Sequence, residues 1–156
     1  MNEETFYEKE DFRRCVEFHG HVCPGLAYGY RASRAGLDWL AEQRAADEET
    51  VAVVETDSCG ADAVQVLTGC TFGKGNFLFE DHGTMAFTFL SRSTGRGVRV
   101  VRKPQERRTP DEERHGELMN KVRRGEASPE EQEAFQRGHL ERARRVLEMP
   151  LDELFL

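Results

Sequence analysis

Between residues 18 and 25 the chain reads Phe-His-Gly-His-Val-Cys-Pro-Gly, and no other stretch limits its folding more. Gly20 and the Pro24-Gly25 pair interrupt any regular element, so the chain must turn here. Before the turn, apolar spacing over Glu8 to Phe18 predicts a helix, with Phe12, Cys15 and Val16 on one side and His19 one turn later. After it, Pro24 suits the first turn of a second helix, whose stripe is Leu26, Tyr30, Ser33, Leu37, Leu40 and Ala41. Gly25, Gly29 and Gly36 destabilise a helix interior, so their presence predicts close packing against another backbone.

If Gly20 and Pro24 hold the intervening stretch extended, side chains two apart share a face. His19, His21 and Cys23 then point the same way. Imidazole and thiolate together suit zinc or another divalent transition metal. Three ligands from five residues are cramped, which leaves one of them free to support the ion indirectly. The plainer alternative makes His19 a satisfied core histidine and Cys23 a buried thiol.

Val51 to Thr56 is β-branched and reads as a buried strand. Ser58-Cys59-Gly60 then opens a short helix carrying Val64 and Leu67. Cys59 therefore lies at a helix N-terminus, where the dipole favours the thiolate that binds metals and attacks electrophiles. Asp57 and Asp62 flank it and can orient a ligand or a water; a small buried cysteine is the alternative. Thr68 to Asn76 is a glycine-rich loop in which Lys74 stands between Gly73 and Gly75. Its backbone N–H groups can cradle an anion, although the spacing is not that of a nucleotide-binding loop. An ordinary loop explains the same glycines.

Phe77 and Phe79, the Asp81-His82-Gly83 turn and Met85 to Leu90 predict a β-hairpin. A further strand, Val98 to Arg102, follows a turn at Thr94 to Gly97. Thr109-Pro110-Asp111-Glu112 and Ser128-Pro129-Glu130-Glu131 both carry the capping-box signature, predicting helices over Pro110 to Arg124 and Pro129 to Leu147. His82, His115 and His139 fall in a turn and on helix faces and read as structural. The fold class is α+β: N-terminal helices packed on a small mixed or antiparallel sheet, followed by two C-terminal helices. One domain is expected over residues 1–156, with an α+β core over 1–103 and a helical extension over 104–156.

The net charge of −7 argues against a nucleic-acid partner, because phosphate binding needs a basic footprint. The basic stretches Arg96 to Arg108 and Arg142 to Arg145 read as solvated faces. No apolar run approaches the roughly 20 residues needed to cross a bilayer, so no membrane partner is expected. The acidic start of the chain does not resemble a secretory signal, and a cytoplasmic location is expected. In that reducing setting Cys15, Cys23, Cys59 and Cys70 favour metal binding or reactivity over disulfides. The tail Leu151-Asp152-Glu153-Leu154-Phe155-Leu156 is apolar enough to suggest a dimer contact, or docking on its own sheet.

The run from Phe18 to Ala32, with its HGHxCPGLAxGYRA pattern, resembles the FmdE family, named after molybdenum/tungsten formylmethanofuran dehydrogenase. The resemblance continues through Cys59-x-x-Asp62-Ala63-x-Gln65 and Thr68-Gly69-Cys70-Thr71-x-Gly73-Lys74-Gly75-Asn76. It resumes in the aromatic segment Phe87 to Phe89 and in Pro150 to Phe155. It implies an α+β domain that forms a homodimer and binds metal through its histidine and cysteine motifs. The family takes its name from an operon for a one-carbon oxidoreductase whose catalytic subunits are other chains. Some relatives add a cysteine-rich zinc ribbon, and none is expected here because no cysteine lies beyond Cys70.

His21 and Cys59 are the leading expected metal ligands, with His19 and Cys23 after them. Lys74, Cys70, Gln65 and Thr68 are the candidate contacts for a small anionic ligand. The expected role is an accessory or enzyme-like component of one-carbon, molybdenum- or tungsten-linked redox metabolism, with the oxidoreductase subunits as partners. A non-enzymatic metal-delivery or assembly partner is the rival. A third reading is a thiol redox protein using Cys59, with Cys70 or Cys23 resolving.

Overall fold

A computed structural model describes residues 8–105 and 107–156. The elements in order are α1 (Glu10–His19), α2 (Pro24–Leu40), β1 (Thr50–Val54), α3 (Gly60–Thr68), β2 (Phe77–Phe79), β3 (Ala86–Ser91), β4 (Gly97–Val101), α4 (Pro110–Arg123), α5 (Pro129–Glu148) and the single turn α6 (Leu151–Leu154). The fold is α+β, with N-terminal helices, a mixed four-stranded sheet and C-terminal helices.

The sheet order is β2-β1-β3-β4. β1 pairs parallel with β2 and antiparallel with β3, and β3 pairs antiparallel with β4. The expected hairpin between Phe77–Phe79 and Met85–Leu90 is therefore absent: β2 and β3 lie on opposite edges of β1. Parallel pairing needs a crossover, and α3 supplies it between β1 and β2. The chain then pivots around the end of β1, where the Glu55 carbonyl accepts from the N–H groups of His82 and Thr84. A turn signal between two apolar runs thus marks a passage across a strand end. The hairpin joins β3 to β4 instead.

Alternation in β1 buries Thr50, Ala52 and Val54, and in β3 it buries Phe87 and Phe89, all toward the helices. Phe12, Leu26, Val64 and Leu154 complete this core. Two glycines set how closely the helices approach it. A Cβ on Gly29 would stand 2.3 Å from the Gly60 carbonyl oxygen, so α2 and α3 touch backbone to backbone. A Cβ on Gly36 would stand 2.2 Å from the Phe89 ring, so α2 lies directly on β3.

Both capping boxes form as the sequence predicts, through Thr109 with Glu112 and Ser128 with Glu131. α5 returns to the core along α2, where Arg31 Nη1 donates to the carbonyls of Val146 and Leu147 at 2.8 and 2.6 Å. The tail then docks on its own sheet. Arg102 and Phe155 form a β-bridge, Lys103 N–H donates to Leu154 and Leu156 N–H donates to Val101. Leu154 and Phe155 are buried, while Leu151 and Leu156 remain exposed. Among the described residues, no helix is long and apolar enough to cross a membrane.

Candidate metal centre

His19 is the last residue of α1, and Gly20 caps that helix in the left-handed region at φ 99°. A side chain there would be strained, so glycine is what allows the immediate reversal. Cys23 caps the start of α2 in extended conformation, and its Sγ accepts from Leu26 N–H at 3.3 Å. The two histidines and the cysteine thus converge because a left-handed turn folds one helix end onto another helix start. An extended segment, the expected cause, is not needed.

Cys59 comes from the far side of the chain, at the residue before α3. Its side chain makes no cap bond to its own helix. Gly25 makes room for it: a Cβ at Gly25 would stand 3.3 Å from Cys59 Cβ and 3.9 Å from its Sγ. The N-termini of α2 and α3 therefore meet at the two sulfurs, and both dipoles favour negative charge there.

Among the described residues, His19, His21, Cys23 and Cys59 form a group that could hold a metal ion, with one donor atom from each all within 4.8 Å of one another. Cys23 Sγ lies 3.8 Å from His19 Nε2, close to the roughly 3.6 Å separation of sulfur and nitrogen in a tetrahedral zinc site. The His19 and His21 rings lie 4.4 Å apart between centroids. His19 Nδ1 lies 2.7 Å from Asp62 Oδ2. A carboxylate at that nitrogen holds the Nδ1–H tautomer and leaves the Nε2 lone pair facing Cys23, the usual support for a metal-bound imidazole. Asp62 thus does what its flanking position suggested, whereas Asp57 is exposed.

The two thiols differ in their acidity. The Cys59 thiol is held well below its ordinary value by a hydrogen bond from Cys23, with His19 and His21 adding positive charge, against the effect of burial. Cys23 is pushed up, first by that same hydrogen bond and then by burial. The pair shares one proton, and a cation placed between them would release it. Donor types, separations and the orienting carboxylate all fit a zinc-like ion. Cys23 is buried, His19 and Cys59 are half-buried and His21 is exposed, so the group is reached from the His21 side.

The other candidates lie elsewhere. Cys70 is fully buried, with its Sγ donating to the Thr50 carbonyl at 3.2 Å. Thr68 is also buried, its hydroxyl donating to Val64 and accepting from Cys70 N–H. Lys74 Nζ donates to the Asp47 carbonyl at 3.1 Å. Within its loop, Thr71 N–H donates to Asn76, Lys74 N–H to the Thr71 hydroxyl and Gly75 N–H to Phe72. Gln65 is half-buried beside a cleft lined by Phe18, Arg44 and Thr71. Cys15 belongs to the core, where burial pushes its thiol up to about 12.

One component had no signal in residue spacing. α5 brings Phe135, Gln136, His139 and Leu140 opposite Gly20, His21 and Val22 across a cavity of about 400 Å³. His139 Nδ1 lies 3.1 Å from His115 Nε2, and both rings pack against Phe135. Burial first, then nearby cations including His115 and His21, pushes His139 down to about 4. More than 110 residues separate His21 from His139, so only the folded chain places them together.

A family model described as "FmdE, Molybdenum formylmethanofuran dehydrogenase operon" matches residues 18–156. A probable S-adenosyl-L-methionine-binding protein of Archaeoglobus fulgidus is 36% identical over 145 residues, covering 90% of this chain and 40% of that protein. A crystal structure of an FmdE-like protein of tungsten formylmethanofuran dehydrogenase type, from Syntrophus aciditrophicus, aligns with a TM-score of 0.52 at 34% identity. That alignment covers 60% of this chain and 49% of the crystallised one. The chain thus spans less than half the length of either relative.

Proposed function

The chain belongs to the FmdE family, and from that membership and its four-donor cluster we propose that it is a metal-binding component of one-carbon redox metabolism linked to molybdenum or tungsten enzymes. The observation that carries this reading is the convergence of His19, His21, Cys23 and Cys59 from three segments, with Asp62 orienting His19. Zinc is the metal that best suits two sulfurs and two imidazole nitrogens. Bound there, such an ion supplies Lewis acidity, and the helix starts at Cys23 and Cys59 hold the sulfurs that neutralise it. With all four donors engaged the site is closed and structural. If the exposed His21 yields its place, the ion gains an open position for a ligand.

We place the protein in the cytoplasm as a homodimer, working as an accessory or enzyme-like partner of oxidoreductase subunits. An exchangeable metal would make it a delivery or assembly factor instead. The archaeal relative's name supports a role that includes binding a small molecule.

Anaerobic purification followed by metal analysis tests the proposal. About one metal per chain is expected, falling about tenfold or more in Cys59→Ser, because a hydroxyl replaces thiolate poorly. Unchanged stoichiometry in that variant removes Cys59 from the ligand set.

A second reading rests on the proximity of the Cys23 and Cys59 donors. The low-lying Cys59 thiol could attack a substrate disulfide and Cys23 could resolve the mixed disulfide, leaving a Cys23–Cys59 disulfide and a reduced substrate. Reversible loss of two alkylatable thiols on oxidation with glutathione disulfide, in metal-free protein, supports that reading. Retention of all four rejects it.

A further inference from the structure

The cavity between the Gly20–Val22 turn and α5 is built from two chemically distinct walls. One is polar: the exposed His21 imidazole, the Gln136 amide and the His139 imidazole. The other is apolar: Val22, Leu140 and the ring of Phe135. Among the described residues, no carboxylate lines it. At about 400 Å³ it has the size of a small-molecule site, and its mixed lining is typical of one. His21 belongs both to this cavity and to the metal-binding group, so whatever enters the cavity meets the metal centre.

The histidine pair adds direction. His139 Nδ1 is engaged by His115 Nε2 at 3.1 Å. Stacking against Phe135 holds the two rings, with centroids 5.1 Å and 4.7 Å from that of the phenyl. Among the described residues, His139 Nε2 has no hydrogen-bond partner. When His115 donates to Nδ1, His139 must carry its proton on Nε2 and becomes a donor. An acceptor group in the cavity selects that tautomer.

We propose that this cavity binds a small organic anion whose charged end faces His21 and the metal centre, whose flat apolar body lies against Phe135, Val22 and Leu140, and which accepts a hydrogen bond from His139 Nε2. A lining of two imidazoles and an amide, without a carboxylate, favours an anion over a cation. The apolar wall favours an organic body over a bare phosphate. His139 is then a ligand-binding residue, and His115 positions it. The inference rests on the metal reading and specifies what would reach that ion.

Benzoate serves as the probe and cobalt(II) as the reporting metal, because its visible absorption changes with its ligands. Wild-type protein loaded with cobalt should show a saturable spectral change on benzoate titration. Gln136 is exposed at the cavity wall, so Gln136→Trp fills the space without disturbing the core and should abolish the change. His139→Phe keeps the ring stack but removes the donor, and should weaken benzoate binding about tenfold or more. Cobalt stoichiometry should stay unchanged in both variants. If cobalt binds but benzoate leaves its spectrum unchanged, or acts equally on all three proteins, the anion site is overturned while the metal reading stands. If no cobalt binds, the metal reading fails and this inference falls with it.

Discussion

Replacing Gly29 with alanine tests whether the α2–α3 contact assembles the metal centre. The added Cβ would stand 2.3 Å from the Gly60 carbonyl oxygen, 2.4 Å from its Cα and 2.7 Å from its carbonyl carbon. Ordinary contact begins near 3.4 Å, so one helix must retreat by about 1 Å, and no flexible side chain is available to absorb the shift. Overpacking of this kind destabilises by about 1–3 kcal/mol, and backbone on both sides places it at the upper end. Alanine returns about 1 kcal/mol through helix propensity, leaving a net loss of about 2 kcal/mol. For a chain of this length that corresponds to a melting temperature lower by about 4–8 °C. Gly60 adjoins Cys59, so a retreat of α3 also carries the thiol away from His19 and Cys23. Metal sites tolerate only about 0.2 Å, and affinity should fall about tenfold or more. Gly116→Ala in α4 is the control, since a Cβ there meets only an arginine nitrogen at 4.0 Å. That variant should melt about 2–4 °C higher and bind metal as wild type does. Calorimetry with a competing chromophoric chelator measures both effects. A Gly29→Ala protein as stable as wild type, with equal metal affinity, would refute the argument.

Glu55 accepts both Arg99 Nε at 2.6 Å and Arg99 Nη2 at 2.8 Å, and this hydrogen bonding, opposed by burial, holds its carboxyl below the ordinary 4.5. A lowered folded-state pKa means stability that is present above the ordinary value and lost as pH falls through the lowered one. The stability gap between wild type and Glu55→Gln in urea titrations should therefore be full at pH 7 and shrink below about pH 4; a gap independent of pH refutes the assignment. Deleting residues 151–156 removes the buried Leu154 and Phe155, worth roughly 1.5–3 kcal/mol each, and should lower the melting temperature by about 6 °C or more. The proposed homodimer should sediment at about twice the 17.8 kDa chain mass; a wild type running near 17.8 kDa removes it, and a truncated chain that stays dimeric places the contact elsewhere. Lys74→Ala loses one half-exposed bond to the Asp47 carbonyl, so it should melt within about 3 °C of wild type while weakening any phosphate binding detected by calorimetry. A larger loss of stability would give Lys74 a structural role.

Local chemistry determined much of this protein from sequence alone. The capping boxes at Thr109 and Ser128, the stop at Gly20 and the start at Pro24 depend on neighbouring residues, and each formed where the sequence places it. The histidine and cysteine motif and the helix-start position of Cys59 were legible for the same reason: metal-binding chemistry resides in residue type and short spacing. Pairing between distant segments was not legible. Phe77–Phe79 and Ala86–Ser91 read as a hairpin because both are apolar runs around a turn. Yet β1 offers hydrogen-bonding groups on both edges and took one strand on each. The glycines of α2 announced close packing, but only the fold shows that Gly29 meets backbone and Gly36 meets a ring. His115 and His139 carried no motif, and the loop around Lys74 was as consistent with an anion cradle as with its own internal hydrogen bonds. Tertiary structure decided these, because it alone sets which helix face meets which turn. The cavity beside His21 exists only where α5 packs across the N-terminal reversal, a contact that no local pattern encodes.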